Sequence, residues 1–299
     1  MDVVGLTPPE SGRLWSWRQR VLPRLARESG ADALHVFSSA FPLGARLPVI
    51  QTVHEAPWLH GTPENAGLKH RAWVKLGAKF AAATCTPSQG VANDLTPGSG
   101  RDRGLHVVPW GVGSEFTPRE NDSDVRLKGS LPDLGGEPIV LTPGATRPKK
   151  RLELVCEGAL AAGFQVLCTG ELTSYVENLQ GRFANLVHAG HLTDDLLPAL
   201  YRRASCVAVL SQSEGFALPV LEALASGTAV VVARGTVQAD TAGDAGYAVD
   251  ANDADETGRA MTLAAAHDPI RREAGLLRAG AHTWDHTAAR LVDVWRSVL

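Results

Sequence analysis

Glu214 and Glu222 stand eight residues apart in the run Ser213-Glu-Gly-Phe-Ala-Leu-Pro-Val-Leu-Glu-Ala-Leu-Ala-Ser-Gly-Thr228. An apolar strand predicted over Cys206–Leu210 enters the polar loop that carries Glu214, and the spacing predicts a helix over Leu218–Ser226. Pro219 falls in the first turn, where its missing N–H costs the helix nothing. Glu222 lies one turn in, and Gly227 closes the helix before a strand at Ala229–Ala233. The first amides of such a helix lack intrahelical acceptors, and its dipole adds roughly half a positive charge there. A strand, a ligand-facing loop and an uncovered helix N-terminus make an anion site. The neighbouring carboxylates suit a ligand that is anionic at one end and rich in hydroxyls elsewhere. A nucleotide-sugar is such a ligand.

A diphosphate carries about two negative charges, more than one helix dipole balances, so cations or a metal must complete the site. Cations occur in Thr142-Pro-Gly-Ala-Thr-Arg-Pro-Lys-Lys-Arg151, which follows a predicted strand and precedes a predicted helix. Arg147, Lys149, Lys150 and Arg151 can clamp phosphates there; a solvated basic turn is the plainer reading. Two Asp-x-Asp strings, Asp122-Ser-Asp124 and Asp253-Ala-Asp255, are weak metal candidates. The first sits in a polar stretch and the second resembles a helix cap. His54 and Glu55 directly follow the predicted strand Pro48–Val53, where a histidine can donate to a sugar or phosphate or position an acceptor hydroxyl. It can equally be a satisfied structural residue. The remaining histidines lack zinc-ligand spacing. Neither Gly-x-Gly-x-x-Gly nor Gly-x-x-x-x-Gly-Lys-Ser/Thr occurs, which argues against dinucleotide dehydrogenases and P-loop enzymes.

These residues need rigid elements to hold them. Short apolar runs alternate with amphipathic segments, the pattern of parallel sheets flanked by helices. Strands are predicted at Val3–Leu6, Ala33–Phe37, Pro48–Val53, Ala82–Thr86 and Leu105–Val108 in the first half. The second half adds Ile139–Leu141, Gln165–Cys168, Asn185–His188, Cys206–Leu210, Ala229–Ala233 and Tyr247–Val249. Helices are expected over Leu14–Ser29, Gly67–Lys79, Gln89–Leu95, Arg151–Ala162, Asp194–Arg203 and Ala254–His267, with two more near the C-terminus. Pro118–Glu137, rich in Asn, Asp, Ser, Gly and Pro, reads as a linker. The predicted division is 1–118, a shortened acceptor-side Rossmann-like domain joined by a C-terminal helix at 285–299, and 119–284, a donor-binding Rossmann-like domain.

The length of 299 residues suits two domains, and 44% hydrophobic content supplies two cores. A formal charge of −3 disfavours a general nucleic-acid binder. Cys85, Cys156, Cys168 and Cys206 lie apart in apolar runs, as expected of reduced, buried thiols. Met1–Glu10 lacks the basic head and apolar run of a signal peptide, so a cytoplasmic location is expected, with contact at the inner membrane face left open.

At these residues the chain resembles the retaining glycosyltransferases of family 4, glycosyl transferases group 1, which have the GT-B architecture. The family signature of Glu, seven residues and Glu, with Gly-Phe after the first, corresponds to Glu214 through Glu222. Gly190, Leu200, Tyr201 and Ala204 resemble a second family segment. Val107-Val-Pro-Trp-Gly-Val112 with Phe116 and Pro118 resembles a third, and Thr52-Val-His54-Glu55 a fourth. The resemblance implies α/β domains with parallel sheets facing across a cleft. It implies transfer of a hexose from a nucleotide-diphosphate sugar to an acceptor hydroxyl with retention, needing neither metal nor cofactor. Polysaccharide, glycolipid or natural-product glycosylation is the implied setting, and the acceptor is a sugar, a lipid-linked or a small molecule.

By the same resemblance Glu214 contacts the transferred sugar and Glu222 the ribose hydroxyls. Gly215, Phe216, Ala217 and Leu218 present amides to the sugar and diphosphate. Lys150 is the phosphate lysine and His54 the acceptor-side histidine. Gly144, His188 and Gly190 complete the implied donor set, and Glu55 and Ser88 the acceptor side. A plain helix N-cap is the other reading of Ser88.

The match has departures. Gly144-Ala145 replaces the usual Gly-Arg, so Arg147 or Lys149 takes over the arginine's task or nothing does. Glu55 and Gly113 stand where aspartate is usual. The family's N-terminal strand and glycine-rich loop have no counterpart, so either the chain is a shortened product or its acceptor domain is naturally reduced. A reduced sheet exposes an edge that a second copy or a partner chain would cover. The segment Trp15–Arg27, with Trp17, Arg18, Arg20 and Arg24, is a contact candidate, or simply a surface helix with its apolar stripe inward. The alternative function is a catalytically weak or silent GT-B subunit that binds nucleotide and partners another glycosyltransferase.

Overall fold

Short β-branched and leucine-rich runs, each stopped by a turn, form two all-parallel sheets in a computed structural model that describes residues 2–8, 14–61, 67–96, 104–132, 134 and 136–299. The chain divides into two compact units: residues 2–109 with 286–299, and residues 110–285, within the described ranges.

The first unit holds β1 (Leu34–Val36), β2 (Val49–Thr52), β3 (Ala83–Thr86) and β4 (Leu105–Val107), in spatial order β1-β2-β3-β4. Alternation along β2 sends Val49 into a cluster with Leu22, Ala26, Leu34, Val36 and Phe41, and Ile50 into another with Ala83, Cys85, Val108 and Val294. Val294 comes from the last helix, Trp284–Val298. The same helix supplies Trp295, whose indole N–H donates to His35 Nδ1 at 2.9 Å. Because indole can only donate, Nδ1 accepts, and Nε2 carries the proton that meets Thr52 Oγ1 at 2.8 Å. Burial, with a smaller contribution from His54, lowers the His35 pKa to about 4. This neutral histidine cross-links β1, β2 and the last helix.

The second unit holds β5 (Ile139–Thr142), β6 (Gln165–Cys168), β7 (Leu186–His188), β8 (Cys206–Val209), β9 (Val230–Ala233) and β10 (Gly246–Val249). Their order is β10-β9-β8-β5-β6-β7, so the chain leaves β5 in one direction and returns to its other side at β8. Such a reversal opens a crevice at the carboxyl ends of the two strands. Both faces are covered, and β5, β8 and β9 are buried throughout.

Helices Leu152–Ala162 and Ala254–Ala265 meet through glycines: a Cβ on Gly258 would lie 2.6 Å from the Gly158 carbonyl oxygen. Backbone cannot yield as a flexible side chain can. Gly258→Ala is therefore expected to destabilise the protein by about 1–3 kcal/mol despite alanine's better helix propensity, read as a lower urea midpoint. The thiols of Cys85, Cys156 and Cys206 are pushed up to about 12 and that of Cys168 to about 11, chiefly by burial.

Two expectations are corrected. Val3–Leu6 is not a strand: Val3 and Val4 are 69% and 64% exposed, and no neighbouring strand pairs with them among the described residues. The stretch 118–137 is not simply a linker, because Asp122–Ser130 is helical behind a capping box formed by Asn121 and Asp124. Asp133 and Gly135 of that stretch lie outside the described residues. Helices Ser174–Gln180 and Val237–Ala242 were also not expected. The Leu14–Glu28 segment includes a π-helical turn at Trp17–Val21, and it buries Leu22, Pro23 and Ala26 while leaving Trp15 50% exposed.

Candidate active site

The loops that leave the carboxyl ends of β5 and β8 bring Lys150 and Glu214 of the second unit together. The loop after β5 turns through Gly144, whose φ of 62° is left-handed, and ends in a 3-10 turn, Pro148–Lys150. The loop after β8 carries Glu214. Parallel pairing of Val140 with Cys206 and Leu141 with Val207 launches both loops from the same edge of the sheet. They are tied by the Gln212 amide donating to the Lys149 carbonyl at 2.9 Å, and by an ion pair in which the Lys150 ammonium donates to Glu214 Oε1. The side chains of that pair are only 24% and 15% exposed, so water screens it weakly.

Arg151, immediately after the turn, has φ 54° and ψ 39°, a left-handed conformation costing roughly 1–2 kcal/mol in a residue with a Cβ. It separates the Lys149–Lys150 turn from the helix starting at Leu152, so the lysines stay in the loop.

The helix Leu218–Ala225 starts beyond Glu214, and its N-cap Ala217 offers no side-chain cap. The amides of Gly215, Phe216, Ala217 and Leu218 have no acceptor among the described residues. Phe216 is 8% exposed and packs edge-on to Trp110 at 5.8 Å, which holds this loop in place. The loop is also held from below: Gln238, fully buried, donates through Nε2 to the Ser211 carbonyl at 2.8 Å.

The loops after β6 and β7 are tied to each other and to the loop after β5. The Gly170 amide donates to the Gly190 carbonyl at 2.9 Å, and His188 Nε2 lies 3.0 Å from the Gly170 carbonyl. The Gly144 amide donates to Thr169 Oγ1 at 3.3 Å and Thr173 Oγ1 donates to the Thr146 carbonyl at 2.7 Å. Gly144, His188 and Gly190 thus sit on one continuous, hydrogen-bonded rim.

Glu222, one turn into the helix, accepts from the Tyr201 hydroxyl through Oε2 at 2.5 Å. Burial raises its pKa; the Tyr201 hydrogen bond opposes this, and Glu115 and Asp194 add like-charge repulsion. The site is therefore polarised, with Arg147, Lys149 and Lys150 on the loop after β5 and with Glu115 and Asp194 each acting on the Glu222 carboxylate. A ligand bearing phosphates at one end and neutral hydroxyl donors at the other matches that polarity.

The candidates of the first unit are arranged separately. His54 follows β2 and its Nε2 lies 3.2 Å from the Phe37 carbonyl. Glu55 is half-buried beside it. Ser88 is the N-cap of the helix Gln89–Leu95, its hydroxyl oxygen accepting from the Val91 amide at 3.2 Å, which is the plainer of its two readings. Asp253 likewise caps the helix Ala254–Ala265 through the Glu256 amide at 2.8 Å. Asp124 is engaged by Arg202. Among the described residues no three His, Cys, Asp or Glu side chains form a metal-binding group, and no helix is long and apolar enough to cross a membrane.

Gln238, Thr173 and the hydroxyl of Tyr201 are contributors that pattern reading did not single out for the site. For Tyr201 the signal available was a polar group beside buried Ala199 and Leu200 in one helix, which only gains meaning once its partner is known.

Two parallel-sheet α/β units, one of four strands and one of six, match the GT-B class of glycosyltransferase folds. The model for glycosyl transferases group 1 matches residues 127–275 and that for glycosyltransferase family 4 matches residues 2–116, so the chain belongs to the family 4, group 1 glycosyltransferases. It is 31% identical over 112 residues to the O-antigen chain mannosyltransferase B of Escherichia coli, covering 36% of this chain and 29% of that one. It is 29% identical over 224 residues to the D-inositol 3-phosphate glycosyltransferase of Acidothermus cellulolyticus, covering 65% and 48%. The chain thus spans about half or less of the length of the curated relatives it matches.

Among solved structures, the sucrose-phosphate synthase of Thermosynechococcus elongatus superposes with a TM-score of 0.77 at 20% identity, covering 92% of this chain and 75% of that one. Anabaena HepE, in complex with UDP and glucose, superposes with a TM-score of 0.78 at 16% identity, covering 95% and 83%. At these identities the likeness establishes the fold.

Proposed function

We propose that this chain transfers a hexose from a nucleotide-diphosphate sugar to an acceptor hydroxyl with retention at the anomeric carbon and without a metal. The observation that carries the proposal is the Lys150–Glu214 ion pair, set at the strand reversal beside the uncapped amides of residues 215–218. In this reading the diphosphate displaces Glu214 from the Lys150 ammonium and takes up the amides ahead of Val220. Glu214, released, faces the transferred sugar, where a carboxylate stabilises positive charge developing at the anomeric carbon. Glu222 accepts from the ribose hydroxyls. Arg147 or Lys149 shares the phosphate charge, and His54 orients the acceptor. As the sugar–phosphate bond breaks, the acceptor oxygen bonds to the anomeric carbon on the face the phosphate leaves and passes its proton to the departing phosphate oxygen, so the anomeric configuration is unchanged.

The test incubates the chain with a panel of UDP-, GDP-, ADP- and dTDP-sugars, with and without EDTA, and follows nucleoside diphosphate release. Proton NMR of the sugar product reports its first-formed anomer. Release that resists EDTA and gives product with the donor's configuration is the expected result. An inverted product would remove the retaining mechanism, and EDTA-sensitive release the metal-free one. Tight nucleotide binding without turnover would identify a silent subunit and overturn the enzyme reading.

A further inference from the structure

We propose that Tyr201 is a positioning residue for nucleotide recognition: its hydroxyl holds the Glu222 carboxylate as a fixed, charged acceptor for the ribose diol. The inference rests on the reading of Glu222 as the ribose-binding carboxylate. Tyr201 lies in the helix Leu197–Arg203 and is 1% exposed. Its ring packs edge-on to Phe116 at 5.6 Å and 78°, and its carbonyl accepts from Thr228 Oγ1 at 2.8 Å. The side chain is held on one side by an aromatic contact and its backbone by the turn that follows the Glu222 helix.

A phenol has one proton to give, and here it goes to Glu222 Oε2 at 2.5 Å. Glu222 Oε1 has no partner among the described residues. One oxygen is anchored and the other is presented, the arrangement needed to accept from a neutral donor in a defined direction. The surroundings select for such a donor. Glu115 and Asp194 act on Glu222 with like charge, and they are the charged groups that shift it among the described residues. An anionic ligand group would be repelled there, whereas a diol brings protons without charge.

The same surroundings make the Tyr201 bond necessary. Burial and the two carboxylates push Glu222 towards its protonated form, and the tyrosine hydrogen bond is what lowers its pKa against them. A protonated Glu222 loses acceptor strength, so nucleotide affinity should fall as pH drops through the folded pKa. Removing the hydroxyl raises that pKa further, so the acid limb moves to higher pH.

The experiment measures, by calorimetry between pH 5 and 8.5, the affinity of wild type, Tyr201→Phe and Glu222→Gln for UDP and GDP and for their 2′,3′-dideoxy analogues. Phenylalanine keeps the ring that packs on Phe116. For the ribonucleotide that wild type binds, Tyr201→Phe is expected to lose about tenfold in affinity, the size of one hydrogen bond to a charged group. Affinity for the dideoxy analogue should stay within about twofold, because the phosphate end is untouched, and the acid limb for the ribonucleotide should move up. Equal losses for both nucleotides, or an unchanged ribonucleotide affinity and acid limb, would overturn the proposal. Glu222→Gln separates the two levels. If it abolishes the ribo-over-dideoxy preference while Tyr201→Phe leaves the preference intact, Glu222 reads ribose and Tyr201 does not set it. If it leaves the preference intact, the ribose reading of Glu222 fails and the proposal fails with it.

Discussion

Lys150→Ala is expected to lower turnover by on the order of 10²–10³, the loss typical of one preorganised group that stabilises charge in a transition state. Lys150 is held by an αL residue behind it, a backbone bond from Gln212 to its neighbour Lys149, and the Glu214 carboxylate in front. In the proposed mechanism the diphosphate replaces Glu214 as the partner of an ammonium whose backbone is already fixed. Most of the effect should fall on kcat, because leaving-group charge grows as the sugar–phosphate bond breaks. Lys150→Arg should recover part of the rate, since guanidinium keeps the charge but not the point geometry. Steady-state kinetics with the active donor decides the matter. A kcat within threefold of wild type would remove Lys150 from the mechanism.

Arg202→Ala is expected to cost about 2–3 kcal/mol of stability, read as a lower urea midpoint. The guanidinium is 6% exposed and donates from Nε and Nη2 to Asp124 at 3.1 and 2.6 Å, and from Nη1 to the Thr117 carbonyl at 3.0 Å. It fastens the segment 117–124 to the helix Leu197–Arg203, the helix that carries Tyr201. The cost stays below that of a fully buried pair because Asp124 keeps some contact with water. The hydrogen bond from Arg202 is the largest cause holding the Asp124 carboxyl below its usual pKa. A carboxylate with a depressed folded pKa contributes stability that is complete above the unfolded value, about 3.9. That contribution is lost as pH falls through the folded pKa. The difference between wild type and Arg202→Ala should accordingly be constant near neutrality and narrow below about pH 4. A difference that widens on acidification would show that the ion pair is not its source.

The central strands β5, β8 and β9 of the second unit were legible because burial on both faces favours an apolar run, and β6, Gln165–Cys168, matched its predicted bounds. The helix beginning at Leu218 was legible for a local reason as well, with proline in its first turn and glycine just past its end. Val3–Leu6 failed because β-branched residues state a preference that only a neighbouring strand can satisfy. The helix Asp122–Ser130 was hidden by a polar composition whose stability comes from its cap and from Arg202, 78 residues away.

Residue types and spacing alone specified two carboxylates, a basic turn and an uncovered helix start, because each depends on neighbours within a few positions along the chain. The strand order that brings the turn after β5 against the loop after β8 is a matter of long-range pairing. So is the choice of Glu214 as the partner of Lys150, 64 residues distant. Tyr201 shows the division most clearly: its hydroxyl is an ordinary phenol until folding removes water and leaves Glu222 as the group it must serve. Local chemistry is written in order along the chain, whereas desolvation and partner choice arise only when distant segments are packed together.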